Sequence, residues 1–145
     1  GSYLFGTDGT KDLGSASNRA NTIYAVNGAI NTSDERHKTF DKEGITESEK
    51  SAALEIKSVI SKFKWTDRIE SGGRIHFGVG AQTVKSILEK NGLVADDYSF
   101  FCFDEWDEEQ EVINDNGEII KPFKSAGNRY GIRYGELAMF ILSAI

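Results

Sequence analysis

Ser33 and Lys38 lie five residues apart in the run Ser33-Asp34-Glu35-Arg36-His37-Lys38. A serine hydroxyl is a poor nucleophile near neutral pH and needs a base beside it. A lysine amine can serve once burial or a neighbouring cation disfavours its ammonium form. His37 is a rival base, because histidine titrates near neutrality unaided. Residues five apart on a continuous helix point about 140° away from each other. Ser33 and Lys38 therefore meet only if the residues between them form a loop, or if Lys38 comes from a neighbouring chain. Arg36 could stabilise a developing oxyanion or pair with Asp34 or Glu35, and Asp34 could orient the turn. A run of this kind is also an ordinary solvated turn with Ser or Asp as a helix cap. Composition and spacing leave both readings open.

The elements around this run differ sharply on its two sides. Residues 1–32 are rich in Gly, Ser, Asn and Thr, and the short β-prone pieces Tyr3-Leu4-Phe5 and Thr22-Ile23-Tyr24-Ala25-Val26 are broken by Gly6, Gly9, Gly14 and Gly28. Such thin β-structure has to borrow its burial from another chain. After the charged junction Asn31–Lys38, Thr46-Glu47-Ser48-Glu49 fits a capping box. Behind it Ala52, Ala53, Ile56, Val59, Ile60 and Phe63 recur at helical spacing. Phe63 and Trp65 alternate as in a strand leaving the helix, Ser71-Gly72-Gly73 reads as a turn, and Arg74–Val79 as a strand. A second helix is predicted over Ala81–Lys90, with Val84, Ile87 and Leu88 inward and Asn91-Gly92 as its stop. Tyr98–Trp106 is strand-like and runs into the acidic stretch Asp104–Glu111. Asn114-Asp115-Asn116-Gly117 is a hairpin turn signal between Glu111-Val112-Ile113 and Glu118-Ile119-Ile120. Tyr134–Ile145 reads as a helix that is apolar on most sides, suited to a central position or to a subunit interface.

Composition excludes several functions. The 145 residues, 39% of them hydrophobic, support one modest core or two small ones. A net charge of −6 argues against general affinity for nucleic acid or anionic membrane. No apolar run approaches the roughly 20 residues of a membrane span, and the polar, Gly-rich N-terminus does not read as a signal peptide. Cys102, the single cysteine, cannot form an internal disulfide and reads as a small core hydrophobe. His37 and His76 are too few and too far apart for a zinc site, so no metal and no cofactor is expected. Gly72-Gly73 and Gly78-x-Gly80 lack the Gly-Lys-Ser/Thr of a nucleotide-binding loop. The acidic stretch has carboxylates enough for calcium but not the glycine pattern of a calcium loop. A solvated hairpin, or one protruding to embrace upstream chains, is the better reading.

Three pieces in order carry a resemblance. They are Asn27-Gly28-Ala29-Ile30-Asn31-Thr32-Ser33-Asp34-Glu35-Arg36-His37-Lys38, then His76-Phe77-Gly78-Val79-Gly80-Ala81-Gln82, then Tyr130-Gly131-Ile132-Arg133-Tyr134-Gly135-Glu136-Leu137. The first is similar to the junction between stalk and chaperone in the intramolecular chaperone and autoprotease family at the C-termini of phage tailspikes, tail fibres and neck appendages. The second resembles that family's strand-to-helix turn, and the third its closing helix. The chain departs from the pattern at His37, where the family more often has an apolar residue, and at Gly80, where it more often has a larger one.

The resemblance implies an α+β chain. Residues 1–32 would be the end of a trimeric β-stalk of the triple β-helix type. Residues 33–145 would be a small mixed α/β chaperone domain with about three helices, a β-sheet and a protruding hairpin. It implies a homotrimer whose partner is its own upstream stalk. The chaperone would register the three chains, then hydrolyse the Thr32–Ser33 bond as a serine peptidase with a Ser33–Lys38 dyad, with Asp34, Arg36 and His37 in supporting positions. Its place would be the host-cell cytoplasm during virion assembly, and cleavage would release it from the mature fibre. The competing expectation is a permanent, uncut receptor-binding or capping tip, which needs neither Ser33 nor Lys38.

Overall fold

The computed structural model describes residues 1–28, 30–67 and 73–145. They divide into two compact units. The first comprises Gly1–Lys38 with Asp104–Arg129, the second Thr39–Phe103 with Tyr130–Ile145.

The second unit is built on three helices. Helix α1 spans Glu47–Ser58 and opens with the predicted capping box. The Thr46 hydroxyl accepts from the Glu49 amide at 3.1 Å, and Glu49 Oε1 accepts from the Thr46 amide at 2.9 Å. The second Glu49 oxygen takes the Tyr98 hydroxyl at 3.0 Å. The Thr46 amide, above all, holds the Glu49 carboxyl below its ordinary range. Burial first, and the Glu49 contact second, push the Tyr98 phenol up to about 12. Helix α2 spans Ala81–Lys90 and is closed by Asn91 and by Gly92 at φ +77°. Helix α3 spans Tyr134–Ser143.

The core is where these helices face one another: Ala52 and Ile56 from α1, Val84, Ile87 and Leu88 from α2, Leu137 and Ile141 from α3, closed by Ala95, Phe100 and Phe101. Phe100 stacks on Phe140 with ring centroids 5.0 Å apart, and Tyr98 flanks both. Two short strands, β1 (Ser61–Phe63) and β2 (His76–Gly78), pair antiparallel with Phe63 opposite His76.

Helix α1 is shorter than its apolar pattern predicts. Ile60 and Phe63 continue the helical spacing, but the chain leaves the helix at Val59 and commits Phe63 to β1. The predicted strand over residues 74–79 is confined to β2. Ser71 and Gly72 of the predicted turn lie outside the described residues, as does Ala29 of the junction motif; Gly73 has the φ of +73° that a turn asks for.

Strand β3 (Phe101–Trp106) pairs with β6 (Gly127–Ile132). Strands β4 (Val112–Ile113) and β5 (Ile119–Lys121) form the predicted hairpin in the first unit, with a register irregularity at Val112/Ile113. Asn114 Oδ1 accepts from the amides of Asn116 and Glu118 at 2.9 Å each, and Gly117 sits at φ +78°. The single β-sheet of the expectation is thus corrected to three separate two-stranded pairings among the described residues.

The other correction concerns residues 1–32. The chain is mixed α/β, but neither a strand nor a β-helix forms among the described residues of this segment. The physical reason is that a strand needs a ladder partner and a face to bury. Tyr3, Ile23, Tyr24, Val26 and Ile30 all face solvent, with Val26 111% exposed.

Candidate functional site

Asp34 caps a single 3₁₀ turn, Glu35–His37, by accepting the Arg36 amide on Oδ1 at 2.9 Å. The turn is closed by the amides of His37 and Lys38, which donate to the carbonyls of Asp34 and Glu35 at 3.1 Å each. Arg36 folds back on its own cap: Nε lies 3.1 Å from both Asp34 oxygens and a terminal nitrogen 2.6 Å from Oδ2. This ion pair holds the Asp34 carboxyl below the usual carboxylate range and pushes the Arg36 guanidinium up.

The turn decides whether Ser33 and Lys38 can meet. One turn of three residues, followed by extended backbone at Lys38 (φ −123°, ψ 145°), reverses the chain enough to bring Lys38 Nζ to 2.7 Å from Ser33 Oγ. The pair therefore forms within one chain, by the loop route. Lys38 and not His37 makes the contact; the exposed His37 side chain has no hydrogen-bond partner among the described residues. Arg36 is engaged with Asp34, as an ordinary turn-stabilising pair would be. Thr32, Ser33 and every residue of the turn are solvent-exposed. An ammonium in water only donates, so the pair as it stands is a lysine donating to a serine. To act as a base, the lysine must lose its proton, which desolvation favours.

The second and third motif pieces meet in the second unit. The Tyr134 hydroxyl accepts from the Val79 amide at 3.1 Å and donates to the Val79 carbonyl at 3.3 Å. Gly78 is required there: a Cβ would overlap the Tyr134 hydroxyl and come within 3.1 Å of the Phe63 ring. Tyr130 to Ile132, which the resemblance places with the closing helix, belong to β6; the helix begins at Tyr134. Beside this junction Ile60, Phe77, Val79, Tyr134, Leu137 and Leu142 line an open apolar hollow of about 360 Å³.

Residues 33–93 match the peptidase family model described as the chaperone of endosialidase. A solved structure described as a novel intramolecular chaperon resembles this chain with a TM-score of 0.65 and 34% identity, over 77% of this chain and 93% of that one. The chain belongs to this chaperone family. The carboxy-terminal domain of the bacteriophage T5 L-shaped tail fibre, solved with its intramolecular chaperone domain, matches at a TM-score of 0.81 and 32% identity, over 99% of this chain and 36% of that one. Side tail fiber protein pb1 of Escherichia phage T5 is 36% identical over 142 residues, covering 92% of this chain and 10% of that protein. The tail spike protein of Escherichia virus K5 is 40% identical over 136 residues, covering 89% of this chain and 20% of that protein. This chain thus spans a tenth to a fifth of the length of the curated relatives it matches. The first residue matched by the chaperone family's model is Ser33.

Around the acidic stretch the structure shows ion pairs. Glu109 Oε2 lies 2.7 Å from Lys121 Nζ and 3.5 Å from Lys124 Nζ, and Lys121 above all holds the Glu109 carboxyl down. Lys124 and Arg129, just beyond the predicted hairpin, carry little signal in the sequence. Their only signal is two isolated cations after an acidic run, and it becomes legible once the fold shows what they hold.

Proposed function

We propose that this chain is the C-terminal chaperone of a phage tail fibre or tailspike. It gathers three copies of its own upstream chain and then severs the covalent link to them by hydrolysing the Thr32–Ser33 bond. The observation that carries the reading is the 2.7 Å approach of Lys38 Nζ to Ser33 Oγ. It occurs in a capped turn at the residue where the family match begins.

In the chemistry proposed, an uncharged Lys38 amine takes the Ser33 hydroxyl proton as the oxygen attacks the Thr32 carbonyl carbon. The Thr32–Ser33 C–N bond breaks, the proton passes to the departing Ser33 amine, and an ester joins the Thr32 carbonyl to Ser33 Oγ. Water then hydrolyses the ester, leaving a Thr32 carboxylate and a free Ser33. Attack on the corresponding carbonyl of a neighbouring chain gives the same products. In either route Lys38 works only after losing its proton. The exposed turn of the single chain therefore awaits something that covers it, and assembly of three chains with a wound stalk is the event proposed to do so.

Trimerisation is supported by what α3 leaves outside the core. Met139, Leu142 and Ile145 are more than half exposed, and Leu142 lines the apolar hollow. Contiguous apolar surface of this kind marks an interaction site. Residues 1–32, with their large apolar side chains in water, are proposed as the end of the upstream stalk, burying those side chains only against its two copies. Joining three ends raises their effective concentration and fixes their register, and a stalk once wound stays wound for kinetic reasons. The host-cell cytoplasm, during virion assembly, is the compartment this implies.

Expression with the upstream stalk, followed by mass measurement of the fragments, tests the reading. The wild type should yield a fragment beginning at Ser33. Ser33→Ala and Lys38→Ala should each remain uncut, and His37→Ala should cut at near the wild-type rate. A dead His37→Ala with an active Lys38→Ala would make histidine the base. The exposure of Ser33 and Lys38 in the single chain favours a second reading, a permanent uncut tip. An intact wild-type chain in a correctly wound trimer would establish that one instead.

A further inference from the structure

Among the described residues of the first 48, Ala16 and Ser17 alone are shielded from solvent. What shields them is polar. Ser15 to Asn18 form a reciprocal turn, Ser15 amide to Asn18 carbonyl at 3.0 Å and Asn18 amide to Ser15 carbonyl at 3.3 Å. Gly14 enters it at φ +82°, with its Cβ position 3.0 Å from the Asn18 carbonyl, so only glycine fits there. Two cations from beyond the hairpin grip this turn. Lys124 Nζ donates to Ser17 Oγ at 2.8 Å and to Asn18 Oδ1 at 3.1 Å, and Arg129 donates to the Ala16 carbonyl.

Both cations are themselves held. Lys124 lies 3.5 Å from Glu109 and is cross-bridged, amide to carbonyl both ways, with the Glu109 backbone. Arg129 lies over the Trp106 ring, 5.5 Å from its centroid, and Trp106 is fixed by donating to the Ser125 carbonyl at 3.0 Å. A braced cation loses little freedom on binding, so its hydrogen bonds to the turn count nearly in full. A residue without a hydroxyl at position 17 would lose the Lys124 contact.

The grip and the proposed cut lie on opposite sides of one another in sequence. Ala16–Asn18 precede Thr32–Ser33, whereas Lys124 and Arg129 follow it. We propose that this clasp is a product-retention site. Hydrolysis breaks the chain but not the hold, so the chaperone stays on the Ser15–Asn18 turn of its upstream segment. Release is then a separate step that requires Lys124 and Arg129 to let go. The separate release step rests on the cleavage reading above; the clasp itself does not.

The test therefore cuts the chain without using Ser33. The full chain carries Ser33→Ala and a foreign protease site inserted between Asn31 and Thr32. It is cut by the added protease and run on gel filtration. With the clasp intact, the N-terminal piece should co-elute with the remainder. In K124A/R129A it should be lost from that peak and run free. A thermal midpoint unchanged from the parent shows that the variant is folded. Ser17→Leu, placed on the other half of the contact, should release the piece in the same way. Free elution of the piece from the parent, or its full retention in both folded variants, would overturn the proposal. An uncut wild type in the Ser33 experiment would remove only the step that follows cleavage.

Discussion

Residues 1–32 and the three-helix unit hold the same kinds of apolar side chain and treat them in opposite ways. Leu4, Phe5, Leu13, Ile23, Tyr24 and Val26 stand in water, while Ile56, Val84 and Leu88 are fully buried. Composition separates the two regions, since residues 1–32 are rich in Gly, Ser, Asn and Thr, and periodicity separates them further. In α1 and α2 the apolar residues return at 3–4 residue intervals, so each helix presents a stripe that another helix of the same chain can cover. In residues 1–32 they come singly or in short runs between glycines and polar residues, without the helical repeat that makes a stripe. A region of the first kind can fold alone. One of the second kind waits for partners.

The largest effect that could break this comparison is a core truncation. Ile56→Ala should cost about 2–5 kcal/mol in the isolated chain, read as a fall in the denaturant midpoint at unchanged slope. Val26→Ala in the same chain should stay within about 0.5 kcal/mol of wild type. With the upstream stalk attached, Val26→Asp or Ile23→Asp should block the cut at Thr32–Ser33 without dissociating the trimer. Equal costs for Ile56→Ala and Val26→Ala in the isolated chain would show that residues 1–32 have a core of their own.

Next in size is the junction of β2 with α3. Gly78→Ala pushes a methyl group into a tyrosine hydroxyl pinned by two hydrogen bonds, and should cost about 1–3 kcal/mol. Removing that hydroxyl with Tyr134→Phe makes room, so the double variant should lose less than the two single losses added together. Strict additivity would mean that the two groups do not touch.

How much of this was readable in the sequence follows the range of each interaction. The capping box at Thr46 and Glu49 and the turn at Asn114–Gly117 are local, and both are found where the residues predict them. The end of α1 was half readable: Ile60 and Phe63 keep the helical register, while the alternation of Phe63 with Trp65 points to the strand that Phe63 enters opposite His76, thirteen positions on. Strand β6 was missed because Gly127 and Gly131 look like breakers. Gly127 is there for close approach, under the Trp106 ring. That requirement is set by β3, distant in sequence. At the candidate site, spacing alone left open whether Ser33 and Lys38 could touch within one chain. The answer depended on one 3₁₀ turn, which Asp34 caps and Arg36 reinforces.

A smaller stability effect separates folding from assembly. Phe140 and Ile141 pack into the chain's own core, so a charge at either tests folding. Leu142 is 60% exposed and borders the apolar hollow. Leu142→Asp should leave the circular dichroism spectrum and midpoint of the isolated chain within about 0.5 kcal/mol of wild type. It should nevertheless reduce the trimer measured by sedimentation. A wild type that sediments as a monomer at micromolar concentration would remove the trimer from the proposal altogether.

The smallest expected effect on stability belongs to Arg36, and it sharpens the comparison most. The Asp34–Arg36 pair is solvent-exposed and touches no core residue, so Arg36→Ala should leave the thermal midpoint where it is. Its effect on cleavage should be clear, because the pair fixes the turn that sets the Ser33–Lys38 distance. Arg36 could act in two ways, and pH tells them apart. The Asp34 carboxyl is held below the usual range, so its pairing is lost only as pH falls through that lowered value. It is complete at any pH where a lysine can be uncharged. The cleavage rate should therefore rise with pH along a single limb that reports the base, with no acid limb from Asp34. If Arg36 only positions the turn, Arg36→Ala lowers the plateau several-fold, leaves the limb where it was, and Arg36→Lys recovers part of the rate. If instead Arg36 is the neighbouring cation that disfavours the Lys38 ammonium, its removal shifts the limb to higher pH and leaves the plateau nearly unchanged. The bidentate contact, which already occupies the guanidinium with Asp34, argues for the first outcome; a displaced limb would assign Arg36 to the electrostatics of the base.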